Sequence, residues 1–236
     1  MKILALETSA KSVSAAVAKD GVILASAYQN NGLTHSRTLM PLVDSMLCNA
    51  SLTLDDIDLI AVAHGPGSFT GLRIGVSAAK GLAWAKGLPC CGVSTLEAMA
   101  RGVSDFDGLI VCAMDARRQQ IYHALFRSEN GQLTRLCDDC AIGLEELVDH
   151  LRRLPQPKLV VGDGAQLCYD HLTAAGISCR LASPDHCFQN AAGAALAAAD
   201  MARTGHTCTA QDLQPVYLRL SQAERERLAK GLSLTE

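Results

Sequence analysis

Apolar residues follow two rhythms along the chain. Residues 2–8, KILALET, form an almost continuous apolar run and predict a buried strand. VSAAVAK follows, then Asp20-Gly21, a dipeptide suited to a two-residue hairpin turn, then VILASAYQ. Together these predict a three-stranded meander. In THSRTLMPLVDSMLCNA the residues Leu39, Leu42, Val43, Met46 and Leu47 fall three and four apart, the spacing of one helix face. Thr34 or Ser36 is the expected N-cap, and Pro41 is expected in the first turn. IDLIAVAHG predicts a second buried strand, residues 70–86 a helix, PCCGVS a strand, and TLEAMARG a helix stopped by Gly102.

The pattern then starts again. GLIVCAMDA, QQIYHALFR and LTRLCD predict three strands, with a turn at ENGQ. LEELVDHLRRL predicts a helix, KLVVGDG a strand, AQLCYDHLTAAG a helix, ISCRLA a short strand and NAAGAALAAADMARTG a helix. Both halves therefore read βββαβαβα. Antiparallel meanders close with tight turns, whereas the later parallel strands need helical crossovers. Two α/β lobes are expected, 1–104 and 105–220, with a boundary near 102–108 and a polar tail at 221–236.

Between a predicted strand and helix lies HGPGSFTGLRIG, residues 64–75. Gly65, Gly67 and Gly71 give G-x-G-x-x-x-G, one residue too long for the dinucleotide fingerprint and outside the first strand-turn-helix. Lys80 precedes Gly81, the wrong order for a P-loop. A bare helix start could still offer amides to an anion. The alternative is packing. Gly71, Gly75, Ala78, Ala79 and Leu82 fall along one side of the predicted helix. Glycine costs a helix about 1 kcal/mol against alanine, so a stripe of them implies close approach of another backbone. The stripe fits either the protein's own sheet or a subunit interface. His64 and Ser68 form no convincing Ser–His pair, since no orienting acid is identifiable. His35, His123 and His171 stand isolated and read as surface or capped residues.

Composition narrows the function classes. The chain has 236 residues and a net charge of −3, with no long basic run. Non-specific nucleic-acid clamps need many phosphate contacts, and base-stacking platforms need aromatics, which make up only 4% here. No apolar stretch reaches the ~18 residues of a membrane span and no secretory signal is evident, so the chain reads as cytosolic and its ten cysteines as reduced. Cys137 and Cys140 make one C-x-x-C without the second half of a zinc site. Cys90 and Cys91 read as small core residues.

ALETSAKSVSAAVAKDG, the block running from HGPGSFTGLRIG to STLEAMA, MDARRQQIYHALF and QPVYLR resemble, in order and over nearly the whole chain, the TsaB (YeaZ) family. The resemblance implies the duplicated two-lobe fold of actin, sugar kinases and heat-shock ATPases. It also implies a role in forming threonylcarbamoyladenosine next to the tRNA anticodon. The related catalytic subunit, TsaD, carries a metal-binding H-x-E-G-H motif. The matching residues here are Thr95, Leu96, Glu97, Ala98 and Met99; both histidines are gone, so no metal is expected and a metalloprotease reading fails. Glu7, Asp115, Gly162 and Gly164 match a nucleotide site only in vestige, and no cofactor is expected. The resemblance implies a non-catalytic subunit that dimerises with a TsaD-like transferase and meets a TsaE-like ATPase and tRNA through the complex. Its interface is expected on Leu39, Leu42, Val43, Met46, Gly71, Gly75, Ala78, Ala79 and Leu82, with a competing self-dimer. A stand-alone ATPase or small-molecule kinase of the same superfamily is the other reading, motivated by Glu7 and Asp115.

Overall fold

The computed structural model describes residues 1–220 together with Glu224 and Arg227; the expected polar tail at 221–236 otherwise lies outside the described residues. The first sheet is built from β1 (Lys2–Glu7), β2 (Val13–Lys19) and β3 (Val22–Gln29), an antiparallel meander, followed by α1 (His35–Asn49), β4 (Leu59–Gly65), α2 (Phe69–Lys86) and β5 (Cys90–Ser94). Asp20 and Gly21 both take positive φ at the β2–β3 turn, as a tight hairpin requires. The order across the sheet is β3-β2-β1-β4-β5, with β4 and β5 parallel to β1. After α3 (Thr95–Arg101) the plan repeats with β6 (Gly108–Asp115), β7 (Gln120–Glu129), β8 (Gln132–Arg135), β9 (Cys140–Gly143), α4 (Leu144–Arg152), β10 (Lys158–Val161), α5 (Ala165–Ala174), β11 (Arg180–Leu181), α6 (Pro184–Cys187) and α7 (Ala191–Arg203). The second sheet runs β11-β10-β6-β7-β8, with β9 also pairing β7. This is the same 3-2-1-4-5 plan twice, the duplicated actin-like α/β architecture. Among the described residues, only β9, α6 and a short 3-10 turn at Leu54–Asp56 were absent from the sequence-based expectation.

The two halves exchange helices. α7 packs on β1 and β2 of the first sheet, and α3 packs on β6 of the second. Ala191, Ala194, Ala195, Ala197 and Ala198 of α7 are buried against Ile3, Ala5, Ala16 and Val93. Leu96, Met99 and Ala100 of α3 are buried with Ile110, Cys112 and Phe126. The chain after α7 also returns to the first sheet, where Cys208 bridges Cys90. The first lobe is therefore completed by residues from beyond position 190, and a division at 104 describes the order of strands rather than the packing.

α1 lays Leu39, Leu42, Val43, Met46 and Leu47 against the first sheet. Pro41 sits inside this helix, not in its first turn, and Thr34 occupies the N-cap without a side-chain cap bond. Pro41 is exposed, on the side of the helix away from the sheet. Among the described residues no helix is long and apolar enough to cross a membrane.

Two helical glycines differ sharply in what surrounds them. A Cβ at Gly193 would come within 1.9 Å of Ala98 O, where α7 crosses α3, whereas one at Gly81 would meet nothing within 4 Å. Gly193→Ala is expected to lower stability by at least about 2 kcal/mol, through overpacking against backbone. Gly81→Ala should raise it by roughly 0.5–1 kcal/mol, through helix propensity. Urea midpoints at unchanged slope test both signs; equal effects would mean that the α3–α7 crossing is not a tight contact.

Candidate functional site

The glycine loop is held between two other segments. On one side is the turn after β1. Thr8 Oγ1 donates to Gly71 O at 2.7 Å, and Ser68 N donates to Ser9 O at 2.7 Å. A Cβ at Gly71 would lie 2.1 Å from Thr8 O, one at Gly75 2.3 Å from Thr8 Oγ1, and one at Gly67 2.6 Å from Ser9 O. The glycines thus let α2 start directly over the end of β1. On the other side is the segment after α7. Val216 N donates to His64 O at 2.7 Å, and a Cβ at Gly65 would lie 2.2 Å from Val216 O. Tyr217 stacks on Phe69 with ring centroids 4.3 Å apart, and Arg73 Nε donates to the Tyr217 hydroxyl at 3.0 Å. Ser68 Oγ caps α2 by accepting from Gly71 N at 3.3 Å. Two amides that an anion would have used, those of Ser68 and Gly71, are therefore committed within the protein. His64 is turned toward Gly92 and Gln214 O. Ser68 therefore has no histidine acting on it.

This packing corrects the expected interface residues. Leu39, Leu42, Val43 and Met46 face the sheet, and Gly71, Gly75 and Ala79 are buried; Ala78 and Leu82 are half-buried. The one stripe serves the protein's own core. The outer faces of α1 and α2 instead present Ser36, Met40, Thr70, Arg73, Ile74 and Ser77, which with Leu39 and Ala78 line a shallow concavity of about 530 Å³.

The loop also forms one wall of a cleft of about 470 Å³ between the lobes. The tip of β1–β2 contributes Ser9, Ala10 and Lys11; the tip of β6–β7 contributes Asp115, Ala116 and Arg117; Asp163 and Arg219 are among the other residues that line it. Arg117, Arg118 and Gln119 all take positive φ, a conformation that costs non-glycine residues and holds this tip in a tight turn. Asp115 accepts from Arg117 N at 2.7 Å, and Arg219 donates to Ala116 O. Asp163 accepts from the buried Gln189 side chain at 3.0 Å, and Gln189 O accepts from Ser12 Oγ at 3.1 Å. Burial pushes the Asp163 carboxyl up, against the Gln189 bond, and Asp115 adds to the rise.

Glu7 does not line the cleft. It lies beneath Ser9, wholly buried, with Oε1 accepting from Ser9 N at 2.5 Å and Oε2 without a hydrogen-bond partner among the described residues. Gly162 N donates to Cys187 O at 2.7 Å and Gly164 N to Ala113 O at 3.0 Å. A Cβ at Gly162 would meet Ala113 O at 2.1 Å. Both glycines thus serve the passage of β10 past β6, and their amides are committed rather than presented to a phosphate. Of the four residues expected in a vestigial nucleotide site, the structure brings Asp115 to the cleft. Sequence reasoning missed Asp163, the residue between the two glycines, and the cations Arg117 and Arg219.

The positions expected from the family resemblance to replace two histidines are in the core. Thr95 and Met99 are buried in α3. Glu97 pairs with Arg135 at 3.1 Å, Arg135 with Asp139 at 2.6 Å, and Ser94 Oγ both donates to Asp139 at 2.5 Å and caps Glu97 N. Glu97 is thus one end of an ion network joining α3 to β8. Cys137 Sγ accepts from Leu125 N, and burial raises the Cys140 thiol to about 11. His123 is a core residue, lowered to about 4 by burial. His171 pairs with Glu145 at 3.0 Å, and His35 Nε2 lies 2.7 Å from Ala10 O.

Burial raises Glu7 to about 7, with Asp163 adding to the rise and the Ser9 hydrogen bonds opposing it. The folded chain keeps this proton up to about pH 7, whereas the unfolded chain releases it near the ordinary 4.5. The unfolded state therefore gains on the folded one as pH rises between these values. Glu7→Gln removes that loss. It is expected to exceed the wild type by up to about 3 kcal/mol near pH 8, with the gap closing toward about pH 4.5. Urea unfolding across this range tests it; a gap independent of pH would mean that Glu7 ionises freely.

A family model described as TsaD, tRNA N6-adenosine threonylcarbamoyltransferase, matches residues 22–225. The Bacillus subtilis tRNA threonylcarbamoyladenosine biosynthesis protein TsaB is 37% identical over 167 residues, 71% of this chain and 73% of that protein. The Escherichia coli protein of the same name is 32% identical over 222 residues, 93% of this chain and 95% of that one. YeaZ from Pseudomonas aeruginosa superimposes with a TM-score of 0.77 at 25% identity, covering 92% of this chain and 99% of that one. A second Pseudomonas aeruginosa structure, described as uncharacterized with similarity to peptidase YeaZ, gives 0.78 at 26% identity with the same coverage. By these matches the chain belongs to the TsaB (YeaZ) family, within the wider group of TsaD-related proteins.

Proposed function

We propose that this chain is a non-catalytic subunit in tRNA threonylcarbamoyladenosine biosynthesis, acting by docking to a TsaD-like transferase. The family and the names of its relatives support the process. One observation supports the non-catalytic part: Thr95 and Met99, which the family resemblance sets where the transferase has metal-binding histidines, are buried in α3. A buried threonine hydroxyl and a thioether are poor ligands for hard cations. No side chain there could be redirected to a metal without opening the core.

The outer face of α1 and α2 is the proposed docking surface. Met40, Ile74 and Ala78 supply apolar area, with Arg73 and Ser77 beside them. A helix pair presented this way suits another helix pair, giving a four-helix contact. The same face could meet a second copy of this chain, and one surface cannot hold both, so self-dimer and heterodimer compete. A TsaE-like ATPase and tRNA would then be met through the complex, in the cytoplasm. Docking would assist the transferase by favouring one of its domain arrangements.

The second reading, a stand-alone ATPase or small-molecule kinase, draws on the cleft holding Asp115 and Asp163 with Lys11 and Arg219. Calorimetry of the isolated chain with Mg-ATP separates the two: tight binding would favour the second.

Reconstitution tests the main reading. With a transferase, an ATPase and tRNA, adding this chain is expected to raise tRNA modification at least tenfold, while the chain alone gives none; modification by the chain alone would overturn the proposal. Met40→Glu places a charge on the docking face, where 42% of the residue is exposed. It is expected to weaken transferase binding by at least about tenfold, roughly 1.4 kcal/mol, at unchanged melting temperature. Normal binding by a folded Met40→Glu would move the docking surface elsewhere. Gly75→Leu is unsuited to this test, because Gly75 faces Thr8 inside the fold.

A further inference from the structure

β5 carries adjacent cysteines that leave opposite faces of the first sheet. Cys91 belongs to the α7 side, its Sγ 3.8 Å from Met201 Sδ and 3.5 Å from His206 O. Cys90 belongs to the other side, in the cluster that holds Val62 and Leu213, and Cys208 packs against that same cluster. The two backbones are directly opposed. Cys90 N donates to Cys208 O and Cys208 N to Cys90 O, each at 2.8 Å, in an antiparallel bridge. Residues that exchange both hydrogen bonds hold their Cα atoms about 5.5 Å apart, and opposed residues project to one face. Disulfides span Cα separations of about 4.4–6.8 Å. Cys90 is fully buried and Cys208 half-buried, so Cys208 is the more accessible of the two. Lys80 Nζ donates to Gln211 O and Leu213 O, just past Cys208. Burial holds both cysteines as thiols, and the Lys80 charge acts against it.

We propose that Cys90 and Cys208 are a redox pair that closes into an intramolecular disulfide when a low-molecular-weight disulfide accumulates. The Cys208 thiolate attacks one sulfur of the external disulfide, whose S–S bond breaks and releases one thiolate. The Cys90 thiolate then attacks Cys208 Sγ and expels the second. Two protein thiols are oxidised, one external disulfide is reduced to two thiols, and the cysteine protons end on those leaving groups. The bond staples the segment after α7 to β5. The same segment continues to Val216 and Tyr217, which brace the glycine loop, so closure restrains that brace.

The full chain is incubated with oxidised glutathione, alkylated and digested with trypsin without reduction. The expected product joins peptide 87–101 to peptide 204–219. It persists in Cys91→Ala and disappears in Cys208→Ser; if Cys91→Ala folds poorly, fragment ions of the wild-type product locate the bond. Val216 amide exchange is expected to slow at least about tenfold on oxidation and to recover with dithiothreitol. A glutathione adduct on Cys208 that never resolves, a cross-link to Cys91, or unchanged Val216 exchange after closure would each overturn the proposal.

Discussion

The contact on which this molecule depends is backbone against backbone. Where α7 crosses α3, Gly193 lies over the Ala98 carbonyl with no room for a methyl group. Each helix is rich in small residues, and together they fill the space between two sheets. Their closeness sets the distance between the lobes. It also sets the cleft, because Gln189, just before α7, holds both Asp163 and the Ser12 turn. The tips of β1–β2 and β6–β7 face one another across that cleft as a result of how tightly the two helices cross.

The cleft has an unusual charge arrangement. Asp163 is partly buried in its wall and Glu7 is sealed behind Ser9, while Asp115 and the cations Lys11 and Arg117 are exposed and Arg219 is half-buried. Desolvation dominates the behaviour of Glu7 and Asp163. Asp163 makes ionisation of Glu7 harder still, and Asp115 does the same to Asp163, as like charges do when brought together in a poor solvent. The glycine loop beside them is braced on both sides and its helix is capped from within. Its rigidity comes from Thr8, Ser9, Val216 and Tyr217.

Most strands and helices were legible in the chain because they have strong periodicity and clear turn residues. The repeated element order also showed two similar halves. The partner of each apolar face was not legible. Leu39, Leu42, Val43 and Met46 announce a buried stripe, but the stripe is the same whether a sheet or another subunit covers it. The glycines of α2 announce a close neighbour without naming Thr8. Asp163 was invisible because its role arises only when β10 passes β6 and brings it near Glu7. The exchange of α3 and α7 was hidden for a similar reason: small residues on every side of α7 signal enclosure between layers, without saying which layers.

That exchange has a consequence for how the chain is made. The first sheet begins at Lys2, yet its α7 face is covered by Ala191–Arg203 and its β5 edge by Cys208. On the ribosome, the strands that begin at Lys2 must wait for a helix that begins only at Ala191. Until then an apolar surface formed by Ile3, Ala5, Ala16 and Val93 has no cover. Contacts so distant in sequence slow folding, and exposed strands invite association with other chains during synthesis. A nascent chain stalled before position 190 would carry the complete strand set of both sheets and still lack the layer that shields the first.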